Sequence, residues 1–396
     1  MFTDVTTRKD IEKIQKIRLE KILQRKISNI QHVLPNYPMV TKKDIPNLKG
    51  SYITAYTSGT SGNVVAISYN RSSFIQSQIT TGVKIFKDCM PNHILNRFPL
   101  RMKMVFLIST NGTLTYLLAK KASLPISLLT QISIISFDET YEVIIKKLNA
   151  IQPHIIVSYP TFLETLLSYN NLKINPEIIV TGSECLTPII RSKIENRFLR
   201  TKVIETYGCT ECPSMAVSCR YNNLHLHEDC CIVELIDKNN NILPFKPGTI
   251  SHRILITNLL NAYQPIVRYI LEDSIEILED CPCGSPFKTI KVHGRSDDIF
   301  NLIDDSQKMV KILPASIESS IFLNIPLSSY QVIHIKQNHL LILYVTDNED
   351  CYHLLRQKIE DYLLRRNLTN VFYKLERRKE IQRQEGGKIR QIISLI

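Results

Sequence analysis

A glycine-rich loop is the first stretch of the sequence whose residue types suit chemistry. Residues 57–62 read Thr-Ser-Gly-Thr-Ser-Gly and precede a short apolar segment, residues 64–69, that favours a strand. Glycines let the backbone approach a phosphate closely, while hydroxyls and amides donate to its oxygens. No lysine follows the second glycine, so this is not the lysine-bearing phosphate loop that opens a helix. On local grounds a surface loop rich in serine and glycine is the alternative.

A second candidate is the sequence Glu-Thr-Tyr-Gly-Cys-Thr-Glu-Cys at residues 205–212, directly after a predicted strand. Its tyrosine–glycine turn could expose an aromatic face to a flat base or acid. Thr210 could bind a phosphate oxygen, and Glu211 could hold a magnesium ion through carboxylate oxygens. The alternative is a strand-end turn with a capping threonine.

Three further residues in polar segments suit a nucleotide. Asp273 could accept hydrogen bonds from both ribose hydroxyls, and Arg295 could bridge ribose or phosphate. Lys388 ends a Glu-Gly-Gly-Lys sequence and could neutralise charge between a carboxylate and an α-phosphate. Each segment also has a plain interpretation, as a surface loop with salt bridges or as a solvated basic tail.

The cysteines suggest a metal site. Ten are present, and the first 33 residues have no apolar core typical of a secretory signal, so we expect reduced thiols or metal ligands in a cytoplasmic protein. Cys281 and Cys283 form a Cys-Pro-Cys pair, with Cys219 and His225 upstream. Three thiolates and an imidazole make a tetrahedral zinc set, and a closed set of four ligands is structural.

Alternatives to that set remain open at this stage. The Cys-Pro-Cys pair could be a reduced surface turn and the histidine a core residue. His227 is a rival to His225, and Cys230 or Cys231 could replace Cys219. Cys209 and Cys212 are interpreted as packing residues.

Composition and charge narrow the class of protein. The 396 residues are 44% hydrophobic and 22% charged, which is typical of a globular chain. The net charge of +12 favours anionic partners: a nucleotide, coenzyme A, an acidic carrier protein or nucleic acid. Nucleic acid is disfavoured because the basic residues are not gathered into one tract with interleaved aromatics. No run of eighteen apolar residues occurs, which argues against a membrane partner.

Strand-like and helix-like segments alternate in the first half of the chain, which predicts an α/β fold with a parallel or mixed sheet. One helix or two are expected over residues 8–33. The predicted strands cover residues 104–108, 132–136, 155–157, 178–180 and 202–205, and the predicted helices 141–151, 161–168 and 188–199. Residues 224–277 predict a β-rich subdomain, and a small α/β pattern follows a boundary near residue 297. Two domains are therefore expected, 1–296 and 297–396.

The order of these motifs carries more information than any one of them. The glycine-rich loop, Thr-Gly-Ser-Glu at 181–184, the Tyr207 motif, the Asp273 and Arg295 segments and the terminal Gly-Gly-Lys follow one another. Together they resemble the adenylate-forming acyl-CoA synthetase superfamily, over residues 38–392. The most similar branch is the phenylacetate–CoA ligase or CapK-like group, which shares a short N-terminal region and a cysteine-bearing insertion.

The resemblance implies a fold and a reaction. It implies a large multi-sheet N-terminal adenylation domain with a β-rich, zinc-bearing subdomain, and a small mobile α/β C-terminal domain. ATP and a carboxylic acid would form an acyl-adenylate, and a thiol, most often coenzyme A, would displace AMP. A free-standing enzyme that loads the phosphopantetheine of a carrier protein is the alternative. A non-catalytic nucleotide-binding interaction protein is a third reading, against which Glu211, Arg295 and Lys388 together argue.

The resemblance also implies a role for each matching residue. The β- and γ-phosphates of ATP would contact Ser58, Gly59, Thr60, Ser61 and Gly62, and the adenine would lie beside Gly182, Ser183 and Glu184. Tyr207 and Gly208 would lie between nucleotide and acid, with Thr210 on the α-phosphate and Glu211 on magnesium. Asp273 and Arg295 would bind ribose, Asp297 would be the hinge, and Lys388 would act in adenylation. The branch pattern holds a structural zinc through residues matching Cys219, His225, Cys281 and Cys283.

The acid pocket is expected near Tyr159 and Phe162, close to Tyr207 and Gly208. The two aromatic residues suit an aryl or short acyl acid, although they could simply pack a helix start. Whether the chain forms a homodimer is left open.

Two departures from the family pattern affect single contacts. Val64 and Val65 stand where many relatives have Pro-Lys, so one phosphate-facing cation is missing. Glu272 replaces the glycine that often precedes the ribose-binding aspartate, and it could alter that loop or add negative charge near the nucleotide.

Overall fold

The fold is taken from a computed structural model. It describes residues 5–48, 51–56, 65–89, 101–108, 117, 119–121, 130–136, 139–312, 317–322, 325–382 and 389–396.

Helices and strands alternate through the first half of the described chain, and strands predominate after it. The helices are α1 (Arg8–Leu23), α2 (Ile30–Val33), α3 (Arg71–Cys89), α4 (Tyr141–Ile151), α5 (Pro160–Leu167), α6 (Pro188–Arg197) and α7 (Cys351–Leu364). The first ten strands are β1 (Ile53–Tyr56), β2 (Ala66–Tyr69), β3 (Met102–Ile108), β4 (Thr130–Ser136), β5 (Ile155–Ser158), β6 (Ile178–Thr181), β7 (Lys202–Tyr207), β8 (Ala216–Ser218), β9 (Leu224–Leu226) and β10 (Cys231–Ile236). The remaining strands are β11 (Arg253–Asn258), β12 (Tyr269–Leu271), β13 (Asp273–Ile277), β14 (Thr289–Arg295), β15 (Phe300–Ile303), β16 (Met309–Ile312), β17 (Ser329–Lys336), β18 (His339–Val345), β19 (Phe372–Arg377) and β20 (Ile392–Ser394).

A nine-stranded sheet with the order β13-β14-β9-β8-β7-β6-β5-β3-β4 forms the centre of the molecule. The strands from β4 to β7 pair in parallel, and those from β7 to β13 pair in antiparallel fashion. The sequences Ile-Ile-Val-Ser of β5 and Ile-Ile-Val-Thr of β6 are apolar without alternation, and β6 is buried throughout. Such runs are typical of parallel strands covered on both faces.

Proline starts the two helices that follow these central strands. Pro160 and Pro188 are the first residues of α5 and α6, where a missing N–H costs nothing. Thr187 caps α6 by accepting a hydrogen bond from the Ile190 amide at 3.2 Å. Each helix therefore begins at a defined residue.

Two ion pairs attach the N-terminal helix to the rest of the molecule. The Arg8 guanidinium contacts the buried Glu228 carboxylate, with one nitrogen–oxygen distance of 2.8 Å. Arg18 lies 3.6 Å from Asp229. Helix α1 ends with Gln24 in a left-handed conformation (φ 51°), so the predicted helical region 8–33 forms two helices.

A second apolar core belongs to the C-terminal part of the chain. The sheet β19-β18-β17-β20 packs with α7, and the β15–β16 hairpin contributes the buried Phe300. Ile189 of α6 also packs in this cluster, so a side chain from the first part of the chain contributes to the C-terminal core. The 3-10 turn Ser296–Asp298 lies between the two parts of the chain, and the division into two domains near residue 297 stays a prediction.

The mixed α/β prediction is confirmed. All five predicted strands occur as β3 to β7, and the three predicted helices as α4, α5 and α6, with ends that differ by at most two residues. Among the described residues, no helix is both long and apolar enough to cross a membrane.

The turns after β6 and β7 each depend on a glycine. A Cβ at Gly208 would lie 2.5 Å from the Pro213 carbonyl oxygen and 2.8 Å from its carbonyl carbon. At Gly182 it would lie 2.4 Å from the Thr206 hydroxyl oxygen, which itself donates to the Thr181 carbonyl at 2.8 Å. Both turns pack too tightly for any side chain.

We expect Gly208→Ala to destabilise the protein by about 1–3 kcal/mol, because backbone at residue 213 must move to admit the methyl group. Chemical denaturation of purified protein measures this. Leu199→Ala is the control, since Leu199 is 88% exposed and should change stability by under about 0.5 kcal/mol. Equal unfolding midpoints for the two variants would contradict the close packing at Gly208.

Candidate functional site

The predicted site residues converge at the carboxyl edge of the parallel strands. Because β5, β6 and β7 are adjacent and parallel, the segments that follow them open at one edge. These segments begin with Tyr159, Gly182 and Gly208. In open α/β sheets this edge is where ligands bind.

The two predicted ribose-binding residues lie opposite each other. Asp273 and Arg295 are cross-strand partners in the β13–β14 pair. The Tyr207 hydroxyl donates a hydrogen bond to the Asp273 carboxylate at 2.7 Å. Burial, and then the Asp273 charge, hold the pKa of Tyr207 well above its usual range, so this phenol stays a donor. The motif after β7 and the segment from β13 to β14 thus form one polar cluster.

Glu211 is buried, and its carboxylate has a tyrosine hydroxyl as hydrogen-bond donor. Its side chain accepts a hydrogen bond from the Tyr269 hydroxyl at 2.8 Å, and its backbone carbonyl accepts one from the Asn258 amide at 2.8 Å. Burial and the Glu211 charge raise the pKa of Tyr269, while the Arg295 guanidinium opposes that shift. The Tyr69 hydroxyl donates a hydrogen bond to the Thr210 backbone carbonyl at 2.8 Å. The carboxylate therefore has a defined position, with a further oxygen suited to a hard cation.

Sequence reasoning missed Tyr269 as a site residue. It considered Asp273 and Arg295 in this region but not the tyrosine. The neighbouring Arg268 is structural: it makes two hydrogen bonds to Glu234, at 3.0 and 3.1 Å, and one to the Tyr37 carbonyl at 2.8 Å. Arg268 precedes β12 with a φ of 51°, so it lies outside the strand's alternation and no local sequence signal separated the two residues.

Glu184 connects the larger domain to the C-terminal segment. One carboxylate oxygen accepts from the Thr161 amide at 3.1 Å and from its hydroxyl at 2.7 Å. The other accepts from the Ile389 amide at 3.0 Å. Ser183, next to it, has a φ of 66°, which turns the chain sharply after β6. The residue after Lys388 is thus held beside the start of α5.

Two groups of predicted site residues fall outside the part of the chain that the structure describes. These are the glycine-rich loop, with Ser58, Gly59, Thr60, Ser61 and Gly62, and Lys388. Their roles remain predictions.

The aromatic residues proposed for the acid pocket are buried at the start of α5. Phe162 stacks on Tyr141 of α4, with ring centroids 5.6 Å apart, and Tyr141 stacks in turn on Tyr169 at 5.1 Å. Tyr159 is 3% exposed in the same apolar cluster. The described contacts of Phe162 are packing contacts, and its role toward an acid stays a prediction.

Glu272, the departure from the family pattern, binds the turn between the domains. Its carboxylate accepts from the Ser296 hydroxyl at 2.9 Å and lies 3.4 Å from Arg253. A second tie is the ion pair between Asp298 and Arg390. The side chain that replaces glycine therefore restrains the segment that contains Asp297.

The predicted metal ligands lie together. Ligand atoms of Cys219, His225, Cys281 and Cys283 all lie within 4.8 Å of one another. The Cys219 and Cys281 sulfurs are 3.7 Å apart, and the Cys283 sulfur is 3.2 Å from His225 Nε2. His225 Nδ1 lies 3.2 Å from the Phe287 carbonyl, which orients Nε2 toward the sulfurs.

Amide donors contact sulfurs of this cluster, whereas burial raises the pKa of Cys283 to about 12. The Asn223 amide donates to the Cys281 sulfur at 3.3 Å, and the Tyr221 amide to the Cys219 sulfur at 3.3 Å. Burial raises the pKa of Cys281, but hydrogen bonds, first that from Asn223, outweigh burial and bring its pKa to about 6. Donors aimed at sulfur are what a metal-bound thiolate requires, so the donor set fits a tetrahedral ion.

The rival ligands lie elsewhere. His227 is buried with its ring against Phe287, 6.0 Å between ring centres, and burial and then Lys84 hold its pKa well below the usual value. Cys230 is buried, and burial raises its pKa to about 12. The Cys231 thiol donates to the His227 carbonyl at 3.5 Å. None of the three belongs to the four-residue group found among the described residues.

Comparison with known proteins identifies the fold. No protein-family model matches the chain. Protein CapK of Staphylococcus aureus is 23% identical over 267 residues, which are 65% of this chain and 56% of CapK, so the match spans little more than half of that relative.

Solved structures match over almost the whole chain. 2-Hydroxyisobutyryl-CoA ligase in the postadenylation state has a TM-score of 0.71 at 14% identity, covering 97% of this chain and 86% of that one. The same enzyme in the thioesterification state has a TM-score of 0.58 at 14% identity, covering 98% and 89%. The anthranilate CoA ligase AuaEII has a TM-score of 0.61 at 15% identity, covering 85% and 65%. The chain has the fold of the adenylate-forming CoA ligases.

Proposed function

We propose that this protein is an ATP-dependent acid–thiol ligase that forms an acyl-adenylate. The observation that carries the proposal is that Glu211, Asp273 and Arg295, from three separate motifs, meet beside Tyr207 at the carboxyl edge of the sheet. A carboxylate for a cation, a ribose-binding aspartate and an arginine at one edge suit ATP. The shared fold supports the same reaction class.

In the first half-reaction, the acid carboxylate attacks the α-phosphorus of ATP. An acyl oxygen–phosphorus bond forms, the bond between the α-phosphorus and the bridging oxygen breaks, and pyrophosphate leaves. Thr210 and Lys388 would stabilise charge at the α-phosphate, while residues 58–62 would hold the departing pyrophosphate. Glu211 would hold Mg²⁺, which when bound screens the phosphate charge.

In the second half-reaction, a thiolate attacks the acyl carbon and AMP leaves. The C-terminal domain would rotate about Asp297 and remove Lys388 from the site. The position of Ile389 on Glu184 supports an adenylation arrangement for the present conformation. The higher TM-score with the postadenylation state than with the thioesterification state of one ligase supports the same view.

The thiol is most simply coenzyme A, since the solved relatives are CoA ligases and the net charge of +12 suits its phosphates. An acidic carrier protein bearing phosphopantetheine fits the same charge. For the acid we propose an aryl or short acyl compound, bound near Tyr159 and Phe162, with Tyr207 and Gly208 between it and the nucleotide.

We also propose that Cys219, His225, Cys281 and Cys283 bind one structural Zn²⁺. Four protein ligands would complete a tetrahedral coordination sphere, so no coordination position on the ion would remain for a substrate. The ion would link the β8–β9 hairpin to the turn before β14, and so support the strand that carries Arg295.

Pyrophosphate exchange tests the enzymatic proposal. With a panel of aryl and short acyl acids, we expect wild-type protein to exchange labelled pyrophosphate into ATP with at least one acid. Lys388→Ala should lower that rate about 100-fold or more, because a cation at the developing charge is lost. The control is Lys336→Ala, an exposed lysine of β17. Exchange with no acid would contradict the proposal, and an unchanged rate in Lys388→Ala would contradict the role of that lysine.

The same purified protein can be used to identify the thiol that accepts the acyl group. With the acid that exchanges best, coenzyme A should yield a thioester and release AMP. If a phosphopantetheinylated carrier protein is acylated and coenzyme A is not, the carrier-protein alternative is correct.

Metal analysis tests the zinc proposal. We expect one zinc per chain in the wild type and a large loss in Cys281→Ser, while Cys185→Ser, an exposed cysteine outside the group, retains zinc. Removal of zinc by a chelator should lower the melting temperature, because binding energy contributes to folding. A metal-free, fully folded wild type would overturn the site.

A further inference from the structure

A lysine of α6 contacts both the larger domain and the smaller domain. The Lys193 ammonium lies 2.6 Å from a Glu164 carboxylate oxygen in α5. The same nitrogen donates to the Leu327 carbonyl at 2.6 Å, and Leu327 belongs to the C-terminal apolar core. One ammonium therefore bridges the adenylation domain and the smaller domain.

The surroundings show that this contact depends on the position of the smaller domain. Ile189, one helical turn before Lys193 and on the same face of α6, is buried in the C-terminal core. Removing the smaller domain would expose Ile189 and the Lys193 ammonium together. The Lys193 side chain is 32% exposed in the present arrangement, so water can solvate its ammonium once Leu327 moves away.

Glu164 makes the bridge stronger than a surface ion pair. Its side chain is 2% exposed, and within the described part of the chain its Oε2 atom has no hydrogen-bond partner. A buried carboxylate with one oxygen unpaired relies on its cation. Burial raises the pKa of Glu164, while the Lys193 charge opposes the shift. Glu164 thus fixes the ammonium where it can reach Leu327.

We propose that Lys193, held by Glu164, is a positioning residue that favours the adenylation arrangement of the C-terminal domain. This rests on the proposed function. The contact exists only while Leu327 lies against α6, so its free energy favours that arrangement and not the thioester-forming one. Together with the Ile389–Glu184 contact, it gives the smaller domain two polar attachment points on the larger domain.

The test uses the full-length protein and a double variant, Lys193→Met with Glu164→Gln. The double change removes the bridge without leaving a buried carboxylate unpaired, so the fold is kept. Lys193→Arg, which retains a donor and a positive charge, is the conservative variant. The control is Lys147→Met with Glu139→Gln, a more exposed ion pair at 2.5 Å within the larger domain, which tests for a general effect of removing a lysine and a glutamate charge.

The two half-reactions are measured separately. For the double variant we expect pyrophosphate exchange to fall about tenfold or more, since a hydrogen bond to a charged group is lost. Thioester formation from chemically prepared acyl-adenylate and coenzyme A should stay within about twofold of wild type or rise. Lys193→Arg should recover much of the exchange, and the control pair should change neither rate. Equal losses in both half-reactions, or no loss in either, would overturn the proposal.

Hydrogen exchange gives a readout that needs no substrate. In the double variant, the Ile389 amide, which donates to Glu184 of the larger domain, should exchange faster than in wild type, because the smaller domain leaves the larger one more often. The central strand β6 should be unchanged. Unaltered exchange at Ile389 would refute the bridge even if no acid supports pyrophosphate exchange, whereas failure of every acid with altered hydrogen exchange would refute only the enzymatic proposal.

Discussion

The parallel pairing of β5, β6 and β7 is the constraint on which the rest of the molecule depends. Parallel neighbours place their carboxyl ends at one edge, so three segments far apart in the chain open toward the same space. β5 and β6 are nearly continuous apolar runs, as expected of parallel strands covered on both faces. Tight turns at Gly182 and Gly208 then direct the following polar residues outward from that edge.

Three carboxylates near this edge each accept a hydrogen bond from a specific donor. Glu211 has the Tyr269 hydroxyl, Asp273 has the Tyr207 hydroxyl, and Glu184 has Thr161 together with the Ile389 amide. Neutral donors satisfy part of a carboxylate's hydrogen-bonding capacity without cancelling its charge. These donors therefore hold the carboxylates in place while their negative charge is kept.

The described contacts between the two parts of the chain include several polar ones, beside the apolar contact of Ile189. Glu272 accepts a hydrogen bond from Ser296 in the connecting turn, and Asp298 of that turn pairs with Arg390. Glu184 contacts Ile389, and Lys193 contacts Leu327. Interfaces of this kind rearrange at moderate cost, because water replaces the hydrogen bonds that are lost.

The sequence by itself determined the local elements and the chemical candidates. Apolar runs and helical periodicity predicted β3 to β7 and α4 to α6, because these signals depend on burial and on near neighbours in the chain. Motif order predicted the class of reaction. Spacing also suggested four metal ligands, but it left His225 and His227 as rivals because both alternatives suit zinc.

Only the tertiary structure decided contacts between residues distant in sequence. It separated His225 from His227, paired Tyr269 with Glu211, placed Glu272 on Ser296, and brought Lys193 to Leu327. Each of these depends on the packing of elements that are dozens of residues apart, and no local propensity encodes such distances. The sequence determines which groups are available for chemistry, and the packing of the sheets and domains decides which of them meet.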